Sequence, residues 1–352
     1  MSKTLQYRFA GLIVIACMLI FHATAQDIHF SQSAYAPLQM NPALTGIFDG
    51  KARISNIYRS QWSGLGNGYK TIYLSADAPV GKAKLKNNYF GVGGLIYQDK
   101  AGEAGFKSTI LEASLSYTTA FDDQADNFIS IGFQTGLNSQ SFDINKATWD
   151  SQWNGDAFDP SLPSYESIQL EQVSYLDFNA GLLYYYIPNE SNSFNFGGSI
   201  SHIGGPNVSH YSRVDAPMEE RITLHTSAEI NFGKDYNSWF DPRITYMMQG
   251  PQKELVLGGL VKNKIKLKSR YTNYNKEAFF SGGLFYRWKD AIIANVRFEY
   301  NTLGLGISYD INNSSLSNLA GSANAFEVNL TFVSFIKRGQ RTKNYNKMPK
   351  FF

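Results

Sequence analysis

Four histidines follow residue 25, namely His29, His202, His210 and His225, and acid–base or metal chemistry would have to start from them. No paired-His metal spacing, Gly-x-Ser-x-Gly turn or Gly-rich phosphate loop accompanies them, so zinc hydrolysis, acyl transfer and nucleotide chemistry lack their usual frames. Ser201 or Ser227 with His202 or His225 would supply a nucleophile and a base, but no third group stands where it could orient the base. Asp150-Ser151-Gln152-Trp153-Asn154-Gly155 opens like a calcium loop, yet position twelve is Ser161 where such a loop places a bidentate Glu. The same stretch reads better as a partner-binding loop, with Trp149 and Trp153 as aromatic anchors and Asp150, Asp156 and Asp159 as polar contacts. The expectation is a protein that is not an enzyme, with no cofactor and no bound metal.

The scaffold that must carry such a loop is bounded by composition. At 352 residues the chain has room for one large domain or two ordinary ones. Charged residues make up 17% and aromatics 15%, and this shift away from an average soluble domain favours a lipid-facing surface. Residues 1–25 have a signal-peptide layout: Lys3 and Arg8, an apolar run from Phe9 to Phe21, then Ala23-Thr24-Ala25 as the cleavage site. A lipoprotein-type box at Val14-Ile15-Ala16-Cys17 competes, but cutting there would leave Met18 to Phe21 as an apolar stub. Loss of Lys3 and Arg8 brings the formal charge from +3 to about +1, which offers nothing to nucleic acid. Cys17 is the only cysteine, so the exported chain is expected to hold neither disulfides nor thiolate metal sites.

No later segment approaches the run of about 18 to 20 apolar residues that a transmembrane helix requires. A spanning form must therefore use strands closed into a barrel, in which every backbone N–H and C=O finds a partner. The dominant period is two. Leu303, Leu305, Ile307, Tyr309 and Ile311 alternate with Gly304, Gly306, Ser308 and Asp310, and Ile292, Ala294, Val296 and Phe298 alternate with Ile293, Asn295, Arg297 and Glu299. Segments of this kind between turn-forming clusters predict about fourteen strands from residue 51 to 336, among them 242–249, 253–270, 276–288 and 324–336. Such a chain is all-β, a transmembrane antiparallel β-barrel with an apolar outside and a polar lumen. A β-propeller is the competing architecture; the chain shows no per-blade repeat, and its apolar faces are bordered by Tyr and Trp as a membrane girdle requires. The longest irregular stretches, 142–171 and 204–219, are the expected outward loops.

The order of short motifs along the chain carries a resemblance. Phe30-Ser31-Gln32, Asn41-Pro42-Ala43-Leu44-Thr45-Gly46, Arg53, Tyr58-Arg59-Ser60-Gln61-Trp62 and Ser75-Ala76-Asp77-Ala78-Pro79 open it. Asp177, Gly198-Ser199-Ile200-Ser201-His202, Arg221 with His225, Tyr286-Arg287, Tyr309-Asp310 and Glu327-Val328 continue it. In this sequence the chain resembles the PorP/SprF family of outer-membrane proteins associated with type IX secretion and gliding motility. The resemblance implies a place in the outer membrane of a Gram-negative bacterium, among its lipids. It implies a role in secreting or retaining large adhesins that carry a C-terminal signal domain, alongside periplasmic components of the secretion system.

On that frame residues 26–50 form an N-terminal segment at the periplasmic mouth or a plug, 51–336 the barrel, and 337–352 a basic tail. The family-motif residues Asn41, Pro42, Gly46, Arg53, Arg59, Gln61, Trp62, Asp77, His202, His225, Tyr309 and Asp310 read as structural. The Asn41–Gly46 stretch is expected as a turn at the periplasmic mouth. Arg53 and Arg59 are expected to pair with interior carboxylates such as Asp77, Asp99, Glu112 or Glu299. Gln61 shares the face of Arg59, and Trp62 takes the opposite one. A porin or small-ligand transporter is the rival function, since a barrel of this width accommodates a channel.

Overall fold

The computed structural model describes residues 27–63, 68–81, 88–102, 104–122, 125–166, 168, 170–189, 191–211, 214–233, 237–265, 278–314 and 324–334. The predicted leader 1–25 and basic tail 337–352 lie outside the described residues.

Fourteen antiparallel strands close into one barrel. In chain order they are β1 (Ala52–Gln61), β2 (Tyr69–Val80), β3 (Asn88–Ala101), β4 (Phe106–Ala120), β5 (Asn127–Ser141), β6 (Gln172–Asn189) and β7 (Asn192–Ser201). The circuit continues through β8 (Arg221–Asn231), β9 (Ser238–Gln249), β10 (Gln252–Ile265), β11 (Ala278–Arg287), β12 (Ala291–Tyr300), β13 (Leu303–Asn312) and β14 (Ala325–Ser334). Each strand pairs with its sequence neighbours, and β1 meets β14 from Ala52↔Ser334 to Gln61↔Ala325, leaving no free edge. The shortest strands have 10 residues, within the range of about 9 to 11 that a tilted strand needs to cross the hydrocarbon layer. The Ala52 and Ser334 ends share one rim with the short turn 301–302, while the connections after β5 and β7 leave the other. By the usual polarity of bacterial barrels the first rim is the inner one and the second the outer.

The outside is apolar as the alternation predicts. Leu303, Leu305, Ile307, Tyr309 and Ile311 all face outward and are exposed, whereas Ser308 and Asp310 point inward and are buried. Of the expected 253–270 strand, residues up to Ile265 form β10, and 266–270 lie outside the described residues. One boundary differs by more than two residues: the expected 242–249 strand begins earlier, at Ser238. Pro242 therefore sits inside β9. The ladder to β8 lapses there, passing from Ser227↔Arg243 to Ile230↔Phe240, at the point where proline has no N–H to give.

The inside departs from the expected polar lumen. Ile57, Tyr73, Leu95, Tyr97, Ile110, Phe128, Leu183, Tyr185 and Ile293 point inward and are buried. They are dry because the segment from Asp27 to Gly50 runs through the bore and covers most of them. One cluster packs Phe30, Tyr35, Ala36 and Leu38 on Ile57, Tyr73, Leu95 and Ile110, and a second packs Met40, Ala43, Leu44 and Ile47 on Tyr89, Phe128, Leu183 and Tyr185.

Candidate functional site

The N-terminal segment enters at the outer rim. The Asp27 backbone N–H donates to the Gln249 side chain at 2.9 Å, at the outer end of β9, and by Lys51 the chain has reached the inner rim, where its N–H donates to the Ser334 carbonyl at 2.7 Å. Between them lie only a 3-10 turn (Ser33–Tyr35), one turn of helix α1 (Pro37–Met40) and a second 3-10 turn (Pro42–Leu44). A segment this irregular leaves many backbone groups to be satisfied by the wall. Asn41 supplies several links. Its Oδ1 accepts from the Ala43 N–H at 2.8 Å, and its Nδ2 lies 3.1–3.2 Å from the carbonyls of Leu182 and Gly198 and from Nε2 of His225. Ser130, Ser199 and Ser116 donate to the carbonyls of Ala43, Met40 and Thr45.

Glycines in the wall make room for this close approach. A Cβ on Gly132 would stand 2.2 Å from the Ala43 nitrogen, and one on Gly91 would stand 2.0 Å from the Thr45 oxygen. The Asn41–Gly46 stretch is thus not a turn at the mouth. It is buried inside the bore against β2 to β8, and Asn41, Pro42, Ala43 and Leu44 are all buried.

Two charge networks hold the segment. In the first, Glu327 on β14 accepts the backbone N–H groups of Ser31 and Gln32 at 2.7 and 2.9 Å and pairs with Arg59. The Ser31 hydroxyl donates to Asp310 at 2.5 Å and accepts from Arg59 and Arg287, each at 2.8 Å. Two guanidiniums thus face two carboxylates around one hydroxyl, and the charges balance where water is excluded. In the second, Asp27 lies 2.5 Å from His202 and 2.9 Å from Arg221, and His202 reaches Asp177 at 2.7 Å through its other nitrogen.

His202 sits in the loop just beyond β7. Burial alone would lower its pKa, but the charge of Asp27 and the hydrogen bond to Asp177 outweigh it and raise the pKa to about 9. Burial likewise acts to raise the Asp27 pKa, and His202 and Arg221 overcome it and hold this carboxyl well below the usual range. His29 stands 3.2 Å from Glu254.

Of the arginine pairings expected from sequence, Arg53 to Asp77 is present at 2.7 Å, and Asp77 also accepts the Gly46 N–H at 2.7 Å. Arg59 instead takes Glu327 and Asp310, while Glu299 holds Arg297 and Lys262. Asp99 accepts from Thr71, and Glu112 from Asn138 and Asn179. Gln61 does share the face of Arg59 and accepts from it at 3.0 Å. Trp62 does not take the opposite face. A positive φ of 56° turns it back over the bore, edge-on to Tyr69 at 5.2 Å.

His225 contacts Asn41 in mid-bore, well below His202, so the two histidines do not meet. The hydroxyls of Ser201 and Ser227 accept from Arg221 and Asn195, not from a histidine. Tyr309 faces outward, with its hydroxyl accepting from Asn324 at 2.8 Å. Asp27, Ser31, Arg221, Arg287 and Glu327 were not singled out as site residues by sequence reasoning. Their signal was available for the strand residues, since a charged residue on the lumen side of a strand needs a countercharge, as Arg59 and Arg287 find in Asp310 and Glu327.

The expected partner loop stands on the outer rim. Trp149 is half-buried and precedes a 3-10 turn at Asp150–Gln152; Trp153 pairs edge-on with Phe158 at 5.2 Å, and both rings are exposed. Asp150 and Asp156 are exposed, and Asp159 caps a turn by accepting from Ser161. The loop is tied to the 202–220 loop: the Leu170 N–H donates to the His210 carbonyl at 3.2 Å, and the His210 ring packs on Phe142. The two loops form one platform beside the mouth.

A family model described as "Type IX secretion system membrane protein PorP/SprF" matches residues 23–332. No curated protein matches the chain. Among solved structures, the Ralstonia pickettii toluene transporter TbuX is 12% identical, with a TM-score of 0.47 over 86% of this chain and 94% of that one. The P. putida toluene transporter TodX is 11% identical, with a TM-score of 0.46 over 84% and 93%. BamA from Haemophilus ducreyi lacking POTRA domains 1-3 is 11% identical, with a TM-score of 0.40 over 81% and 70%. At this level of likeness the three say nothing of what this barrel handles. The family match spans the filled bore, the wall and both long loops, and the chain therefore belongs to the PorP/SprF family of type IX secretion system membrane proteins.

Proposed function

We propose that this protein is a non-enzymatic barrel of the Gram-negative outer membrane that holds exported adhesins at the cell surface by their C-terminal signal domain. Family membership supports a role in type IX secretion. The observation that carries the mode of binding is the occupied bore. The Asp27–Gly50 segment fills it from rim to rim through buried ion pairs, so a folded partner meets the barrel from outside, on the platform of 142–171 and 202–220. Trp149 and Trp153 anchor that partner, and Asp150, Asp156 and Asp159 supply polar contacts, the division of labour usual at interfaces. Periplasmic secretion components meet the inner rim. The plug disfavours the porin reading, because an open lumen is what conduction requires.

Removing 145–170 tests the assignment. Adhesin display and copurification are expected to be lost while the barrel stays folded, as judged by its heat-dependent gel mobility. Unchanged display with the loop gone would rule the platform out as the binding surface.

A further inference from the structure

Above the first charge network the bore widens into a cavity of about 440 Å³ at the outer mouth. This lies within the range of roughly 300–1,000 Å³ typical of small-ligand sites. Its floor is the start of the N-terminal segment, and its walls include Gln61, Trp62, Tyr69, Thr71, Asp99 and Gln252. The charged groups around it are mostly committed: Asp27 to His202 and Arg221, and Arg59 to Glu327 and Asp310. Asp99 differs. Its carboxylate accepts from the Thr71 hydroxyl at 2.7 Å, and no Lys, Arg or His nitrogen among the described residues lies within 4 Å of it. A carboxylate half-removed from water in a recess gains from any cation that enters.

Trp62 is the second observation. Bulky residues rarely adopt a positive φ, and those that do cluster where function demands a particular orientation. Continued period-two alternation would have sent its ring to lipid. Instead the Trp62 backbone N–H is fixed to the Asn324 carbonyl at 3.0 Å, and Gly68 packs so closely on this turn that a Cβ there would stand 2.7 Å from the Gln61 oxygen. The turn aims the indole at Tyr69, and the pair walls the cavity that Asp99 also lines.

We infer that the outer vestibule binds an organic cation, an alkylammonium or guanidinium presented from outside by a basic side chain or a free polyamine, with Asp99 as countercharge and Trp62 and Tyr69 as aromatic walls. Aromatic faces attract such cations through the ring quadrupole, and the carboxylate adds a charge-assisted hydrogen bond. The inference depends on the barrel and its plug, and it stands or falls independently of which exported protein the loops hold.

The test uses the full-length protein in detergent, titrated with acetyl-Gly-Lys-Gly-amide and its Arg and norleucine counterparts and followed by calorimetry and tryptophan fluorescence. The Lys and Arg peptides are expected to bind saturably, the norleucine peptide about tenfold or more weakly, and Asp99→Asn to lose about the same factor. Tyr69→Ala, at the rim, is a second variant should Asp99→Asn fail to fold, and it too should weaken binding. Spermidine separates the sources. Competition by it supports this cation site with a free polyamine as occupant, and its failure to compete supports a peptide-borne cation. Equal affinity for the norleucine peptide, or no binding of any cation, overturns the inference, as does wild-type affinity in a folded Asp99→Asn variant.

Discussion

Arg53 and Asp77 show what a single buried residue contributes to this architecture. Their side chains are 1% exposed, and the carboxylate both pairs with the guanidinium and caps the Gly46 N–H. Replacing one partner strands a charge where water cannot follow, whereas replacing both removes the desolvation cost along with the attraction. Arg53→Met is therefore expected to destabilise the folded barrel by about 3–5 kcal/mol, and Arg53→Met with Asp77→Leu by much less. Urea unfolding in lipid vesicles reads both, and equal losses in the two variants would contradict the pairing argument.

His202 gives a pH prediction at the same scale. Its pKa in the seated state, about 9, lies above the ordinary 6.5, so its contribution is complete below about pH 6.5 and is lost as pH rises through about 9. The difference corresponds to on the order of 3 kcal/mol. Hydrogen exchange at Ile28 to Ser33 should therefore accelerate between pH 7 and 10 beyond the intrinsic base-catalysed rise, and His202→Gln should abolish that excess.

At the scale of elements, the wall and its filling obey different rules. Gly132 faces the Pro42–Ala43 turn with no space for a Cβ, while its neighbours Ile131 and Phe133 face outward. Gly132→Val adds a branched side chain that favours strand geometry but collides with the turn. The expected result is a barrel that still resists heat in detergent while the 34–48 segment exchanges its amides rapidly and ion conductance in planar bilayers rises. Slow exchange and an unchanged low conductance would mean that the segment accommodates the valine.

The same contrast explains what could be read from sequence. The fourteen strands, their closure and the outward loops were legible, because period-two alternation is a local signal that lipid on one face enforces. Sequence predicts a polar lumen because an empty barrel would need one. Leu183 and Tyr185 fall between Leu182, Tyr184 and Tyr186 in a run with no polar face, which was a sign that β6 is dry on both sides. Which segment covers it is not local information, since the contacts join residues more than 100 positions apart, such as Asn41 and Leu182. The turn at Trp62 escaped for a related reason. Alternation assumes an extended backbone, and one positive φ reverses the face of every inference drawn from it.

At the scale of the molecule, the threading of the N-terminal segment sets where each end of it lies. The first described residue lies at the outer mouth, and the wall begins at the inner one, so the chain crosses the membrane layer once inside the bore before β1 crosses it again. If the leader is cut after Ala25, the new amino terminus is Gln26, the residue that precedes Asp27 at the outer mouth. The same cut removes Cys17, the only cysteine, so any introduced thiol is unique. Gln26→Cys should therefore react with a membrane-impermeant maleimide on intact cells, and Lys51→Cys, exposed at the inner rim, only after the outer membrane is permeabilised. The reverse pattern would invert the barrel in the membrane. Labelling of both positions only after permeabilisation would mean that the segment does not reach the outer mouth, and the buried pairs of Asp27 with His202 and Arg221 would then be absent in the cell.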